Sequence, residues 1–128
     1  MKPFSFNAVM AVGVGGVIGT LLRYLLSEQV AFLPFPTGTM VVNLLGSFLL
    51  AYVTFHPLIK NKLSSASFTA FTTGLLGSFT TFSTLIMDSF LFSENIMVIA
   101  SYLGLQIIGG LLFCMVGATL AMTKEKHS

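Results

Sequence analysis

This sequence has little charge. Lysine and arginine together number 6, aspartate and glutamate 4, so charged residues make up 8% of 128 positions and the formal net charge is +2. A balance that small gives no electrostatic footprint for nucleic acid. Cysteine is nearly missing too: Cys114 stands alone, which excludes a disulfide framework and a cysteine metal site. Two histidines remain, His56 ahead of Pro57 and His127 beside the terminal Ser128. Neither has a ligand cluster around it, so a metal-dependent enzyme has nothing to stand on and no other enzyme signature is present.

What the chain has instead is apolar length. Hydrophobic residues make up 55% and the mean hydropathy is +0.93. Crossing the bilayer hydrocarbon takes about 20 apolar residues per helix. The few charges divide the chain into four such runs, about residues 6–26, 38–55, 66–92 and 96–122, which form a single four-helix transmembrane domain over 1–128. The first run is followed by Arg23 and Tyr24 rather than a small-residue cleavage site, so it reads as a retained helix and not a signal peptide. Connections fall at Pro34-Phe35-Pro36-Thr37-Gly38, where Thr37 or Thr39 can cap helix two, at residues 56–65, and at Ser93 to Asn95.

Lysines set the orientation. Four spans put both termini and the middle loop on one side, with Lys2, Lys60, Lys62, Lys124 and Lys126, against Arg23 on the other. Both termini are expected to face the cytoplasm. Gly15 and Gly19 share a face of helix one and suit close helix packing. Four helices offer few interior positions for a transport path, so an oligomer is expected.

The third span is the unusual one. Gly74 to Thr84 reads GLLGSFTTFST and sets Ser78, Thr80, Thr81, Ser83 and Thr84 beside Phe79 and Phe82 at mid-span. A kinked helix whose hydroxyls bond back to its own carbonyls is one reading. The density of hydroxyls and the weakening effect of Gly77 favour a broken helix, tolerated in a membrane where it is buried in protein or lines a polar path. Such a break exposes carbonyls suited to a cation and hydroxyls suited to an anion, and phenylalanine edges carry partial positive charge. Asn43, amid Val41, Val42, Leu44 and Leu45, reads by itself as an interhelical hydrogen bond. Asp88, one turn after Thr84, is either functional or a carboxylate near a helix end that snorkels or pairs with Arg23.

Three motifs taken together, Gly16-x-x-Gly19-x-x-x-Arg23-Tyr24, Pro36-x-Gly38-Thr39-x-x-Val42-Asn43-x-x-Gly46 and Gly74-x-x-Gly77-x-x-Thr80-Thr81-Phe82-Ser83-Thr84, resemble the Fluc (CrcB) fluoride channels over nearly the whole chain. The resemblance implies an antiparallel dimer of four-helix subunits in the bacterial inner membrane, with two pores that export fluoride passively. It further implies a structural Na+ at the dimer interface, held by the backbone carbonyls of Gly77 and Thr80. Asn43, Phe82, Ser83, Thr84 and Tyr102 match positions that line or flank that family's fluoride path.

Several positions depart from the pattern. Leu85 stands where the family has a second phenylalanine, Asp88 where it has glutamate, and Gly110 and Cys114 where helix four has hydroxyls, with Gln106 a turn above. A homodimer of inverted copies needs balanced loop charges, which the lysine bias opposes. The expectation is therefore one half of a heterodimer with an oppositely oriented homologue, and a homodimer otherwise. Two rivals remain. A small multidrug-resistance-type transporter would need a buried acid, which helix one lacks, and a non-conducting scaffold subunit would fit the altered path positions.

Overall fold

A computed structural model describes residues 5–33 and 36–123. Lys2, Pro34, Phe35, Lys124, Lys126 and His127 lie outside the described residues. The described residues are all-α, with four helices among them long and apolar enough to cross a membrane: Phe6–Gln29, Thr37–Phe55, Ser65–Phe92 and Ile96–Thr123. It is a multi-pass membrane protein. The expected spans agree within three residues at every end.

Helix α1 (Phe6–Gln29) starts at Ser5, whose hydroxyl accepts from the Ala8 amide at 3.2 Å. Helix α2 (Thr37–Phe55) begins after Pro36 without a side-chain cap, so neither Thr37 nor Thr39 caps it. The connection at 56–65 is not all loop. Pro57, at the first helical position where its missing amide costs nothing, opens the short α3 (Pro57–Lys62), with Lys60 and Lys62 in its last turn where cations meet the carbonyl end. His56 at this corner is buried, its ring tilted against Tyr52 with centroids 5.2 Å apart.

The third span is built from four pieces: α4 (Ser65–Thr69), a π-helical segment (Ala70–Leu76), α5 (Gly77–Phe79) and α6 (Phe82–Phe92). The π-helical turn lies where α1 presses on it. A Cβ on Gly15 would come within 2.5 Å of the Ala70 carbonyl, and one on Gly19 would overlap the Leu75 carbonyl. In return, a Cβ on Gly74 would stand 2.6 Å from the Val12 carbonyl. Two backbones thus touch without side chains between them, the packing expected of the Gly15 and Gly19 pair.

Helix α7 (Ile96–Thr123) packs most extensively on α2 and runs in the same direction. Tyr102 meets Pro36, Gly110 lies opposite Ser47, and Gly117 is pressed on the Phe48 carbonyl. Val42, Leu76, Phe79 and Leu85 belong to the small core, together with Ala51, Val53, Ile99, Tyr102 and Ala121. Most large apolar side chains of α1 and α7 face outward, as lipid or a neighbouring subunit requires.

Candidate functional site

The third span leaves its helical path at two residues, Thr80 (φ −82°, ψ 156°) and Thr81 (φ −150°, ψ 124°), both extended. The helix therefore continues through Gly74 and Gly77, later than the glycines suggest, and opens where two β-branched threonines favour extended backbone. Gly46 makes room for this opening, since a Cβ there would overlap the Thr80 methyl.

Asn43 holds the opening in place. Its Nδ2 donates to the Thr81 carbonyl at 2.9 Å, and its Oδ1 accepts from the Thr81 amide at 2.8 Å. One amide side chain from α2 thus replaces both backbone partners of a residue that the helix has released. It is the interhelical hydrogen bond read from the sequence, doubled and aimed at backbone. The Thr81 hydroxyl in turn caps α6, accepting from the Thr84 amide at 3.3 Å and lying 3.0 Å from the Thr84 hydroxyl.

These bonds release carbonyls. In a continuous helix the amide of residue 81 would bond to Gly77 and that of residue 84 to Thr80. Here the first goes to Asn43 and the second to the Thr81 hydroxyl. Gly77 is exposed and Thr80 half-buried, and the Thr80 hydroxyl reaches the Gly77 carbonyl at a long 3.5 Å. Backbone oxygens of this kind suit a hard cation. Among the described residues no group of His, Cys, Asp and Glu is placed to hold a metal by side chains.

A groove of about 530 Å³ lies beside the break, between α2 and α7. Asn43, Phe82, Leu85 and Gln106 line it at mid-membrane, and Thr54, Phe55 and Cys114 at the end towards α3. A smaller hollow of about 240 Å³ shares Asn43, Ser47, Leu50 and Phe82 with it and adds Thr80 and Thr81. Phe82 is 72% exposed and stands between the two, so its ring edge is free to face an ion.

The other expected path residues are placed differently. Ser83 is exposed on α6 and Thr84 is tied to Thr81; neither lines the groove. Tyr102 is buried at 2% exposure, and its hydroxyl lies 3.3 Å from the Pro36 carbonyl, to which it donates. Phe79, grouped in sequence with Phe82, is a core residue packed beside Gly46. Leu85 is buried and lines the groove from α6. Asp88 accepts a short hydrogen bond from the Thr39 hydroxyl on α2, and among the described residues no ion pair joins it to Arg23.

Gln106 is the residue that the path assignment left out. It is 5% exposed and lines the groove, and its amide lies close enough to the Tyr102 hydroxyl, one turn earlier, to interact with it, though among the described residues no hydrogen bond of good geometry reaches its Nε2. A lone amide in the otherwise apolar run of α7 was the available signal.

Residues 10–118 match the family model described as CrcB-like protein, Camphor Resistance (CrcB). The chain is 40% identical over 120 residues to Fluoride-specific ion channel FluC 2 of Ligilactobacillus salivarius, a match covering 94% of this chain and 89% of that protein. It is 40% identical over 122 residues to Fluoride-specific ion channel FluC 1 of Bacillus anthracis, covering 91% and 89%. With Fluoride-specific ion channel FluC 2 of Staphylococcus haemolyticus it shares 38% identity over 119 residues, covering 85% and 92%.

Proposed function

Because the chain belongs to the CrcB-like family, we propose that it is a subunit of a passive, fluoride-selective channel that lets fluoride leave the bacterial cell across the inner membrane. The observation that carries this reading is the break at Thr80 and Thr81, fixed by Asn43 at the deep end of a membrane groove. Fluoride is small and strongly hydrated. A conducting path for it replaces water with several weak donors and ring edges rather than one fixed cation that would trap it. The groove's lining fits that demand, as it contains amides, hydroxyls and Phe82 but no lysine or arginine.

The active unit in this reading is an antiparallel dimer, with a structural Na+ on the released carbonyls of Gly77 and Thr80. Two oxygens fall short of a full shell for such an ion, and a second subunit would supply the rest. The lysine bias, to which Lys60 and Lys62 on α3 contribute, holds the termini in the cytoplasm and favours an oppositely oriented homologue as partner. The numbers 1 and 2 in the relatives' names are compatible with chains that occur in pairs. Asp88 is engaged by Thr39 instead of facing the groove, which removes support from a proton-coupled carrier.

Reconstitution into liposomes with a fluoride electrode tests the reading. Fluoride efflux is expected when this chain and its homologue are inserted together, with no comparable chloride efflux. Robust flux from this chain alone would overturn the heterodimer. Flux from the homologue unchanged by adding this chain would make it a scaffold.

A further inference from the structure

The glycine seam between α1 and the third span is not closed along its whole length. On the side of Ser5 and Ser65, past the contact of Gly74 with the Val12 carbonyl, a hollow of about 640 Å³ flanks it. Val12 and Thr73 lie at its inner end, Ala8, Val9 and Ala66 form its walls, and Ser5 and Ser65 stand at its mouth. The hollow at Gly16 and Ser78, further along α1, shares no lining residue with it. From Ser5 to Val12 the helix advances about 10 Å at 1.5 Å per residue. That depth stays within one leaflet of a hydrocarbon layer about 30 Å thick.

The walls ask for no polar partner. Thr69, which also lines the hollow, donates its hydroxyl to the Ser65 carbonyl at 2.9 Å. At the mouth the chemistry changes. Ser5 and Ser65 are exposed, and the Ser5 oxygen, which accepts from the Ala8 amide at 3.2 Å, keeps its own proton to donate. Lys62 ends α3 three residues before Ser65, a chain reach of at most about 10 Å. Lys60 lies in the same last turn, and both lysines are exposed. The described carboxylates, Glu28, Asp88 and Glu94, sit towards the opposite ends of their spans, away from both lysines. Leu58 and Leu63, exposed beside these cations, are the apolar contacts that an interfacial segment makes with acyl chains.

We propose that this hollow is a binding site for one anionic phospholipid, with an acyl chain between α1 and the third span and the phosphate at the mouth, between Lys62 and the hydroxyls of Ser5 and Ser65. Apolar depth, hydroxyl donors and positive charge follow one another here in the order in which a lipid presents chain, phosphate oxygens and negative charge. A helix of a partner subunit would need a furrow along the span, whereas this one ends after about 10 Å at the contact of Val12 with Gly74. Between apolar helices in a bilayer, contact rather than hydrophobic drive holds a seam together, and the lipid chain extends that contact where the glycines leave it open. The site rests on the orientation with cytoplasmic termini only for the leaflet that supplies the lipid, and it is independent of the fluoride path.

The experiment is native mass spectrometry of the detergent-solubilised protein, with its partner where one is needed for assembly, titrated with palmitoyl-oleoyl phosphatidylglycerol or with phosphatidylcholine of the same chains. One phosphatidylglycerol retained per copy of this chain is the expected result, with a melting temperature raised by phosphatidylglycerol alone. Lys62→Gln should weaken retention about fivefold, the worth of one lysine at an anionic membrane surface, and Lys60→Gln less. Ala66→Leu, which fills the hollow, should abolish retention, and Ala8→Leu fills it from α1 if that variant does not fold. Equal retention of the two lipids would overturn the proposal in favour of ordinary boundary lipid. Retention unchanged by either filling would overturn it as well, and loss of the lipid on adding the homologous subunit would give the hollow to that partner. Retention by wild-type protein that shows no fluoride efflux in liposomes would sink the channel reading and leave the lipid site standing.

Discussion

Two seams hold this subunit together, and they are made differently. Along the first, α1 meets the π-helical turn of the third span with backbone on backbone, at Gly15, Gly19 and Gly74. Along the second, α2 and α7 meet that way at Gly117, but elsewhere glycine faces side chain: Gly109 lies opposite Leu44 and Gly110 opposite Ser47. The first seam is closed at these glycines, with hollows of about 640 Å³ and 680 Å³ on its flanks, at Val12 and Thr73 and at Gly16 and Ser78, whereas the second keeps a groove of about 530 Å³ along the contact itself. Lipid tails are as apolar as the helices, so packing and hydrogen bonds decide which seam closes. Where glycine stands opposite a carbonyl, as Gly15, Gly19 and Gly74 do, the two backbones touch; where it stands opposite a side chain, as Gly16 does at Ser78 and Gly110 at Ser47, a hollow adjoins it.

The strongest way to break the glycine-packed seam is Gly19→Val. Its side chain would have to displace the Leu75 backbone, which cannot rotate away as a side chain can. Destabilisation of about 3 kcal/mol is expected, at the upper end for overpacking. Size-exclusion chromatography should show little monodisperse protein, and a normal profile would show that the seam is looser than described.

Asn43→Leu tests what holds the second region open. Both its bonds to Thr81 disappear and leave a backbone N–H and C=O without partners, at about 2 to 3 kcal/mol. A lower melting temperature in detergent and at least tenfold lower fluoride efflux are expected together. Loss of efflux at unchanged melting temperature would mean that Asn43 serves the ion and not the break.

Phe82→Ile sharpens the comparison with the smallest change in stability. The ring is 72% exposed, so stability should stay within about 0.5 kcal/mol of wild type. Efflux should nevertheless fall sharply, because the ring edge is lost between the two hollows. Unchanged efflux would place Phe82 on a path that does not conduct.

The spans were legible because hydropathy over about 20 residues is a strong, local signal. The pairing of Gly15 with Gly19 was legible for the same reason, through helical spacing. What stayed hidden depended on contacts between distant residues. The π-helical turn at Ala70–Leu76 answers to α1, more than 50 positions away in sequence. The opening falls at Thr80 and Thr81, where Asn43 takes both backbone groups of Thr81, and not at Gly77. Phe79 and Phe82 look equivalent in the sequence, yet three residues along a helix that stops between them leave one in the core and the other exposed. Tyr102 and Gln106, four apart on α7, are both buried, but only Gln106 reaches the groove.

The position of the opening along its span has one more consequence. Helix α6 has 11 residues after the break, a length of about 16 Å at 1.5 Å per residue. That is half of a hydrocarbon layer about 30 Å thick. Halfway is the one depth left unchanged when a subunit is turned upside down, so an inverted homologue with its opening at the matching position would present it level with this one. An opening a turn nearer either face would put the two about a helical pitch apart on each side of the midplane, and no single ion could touch both.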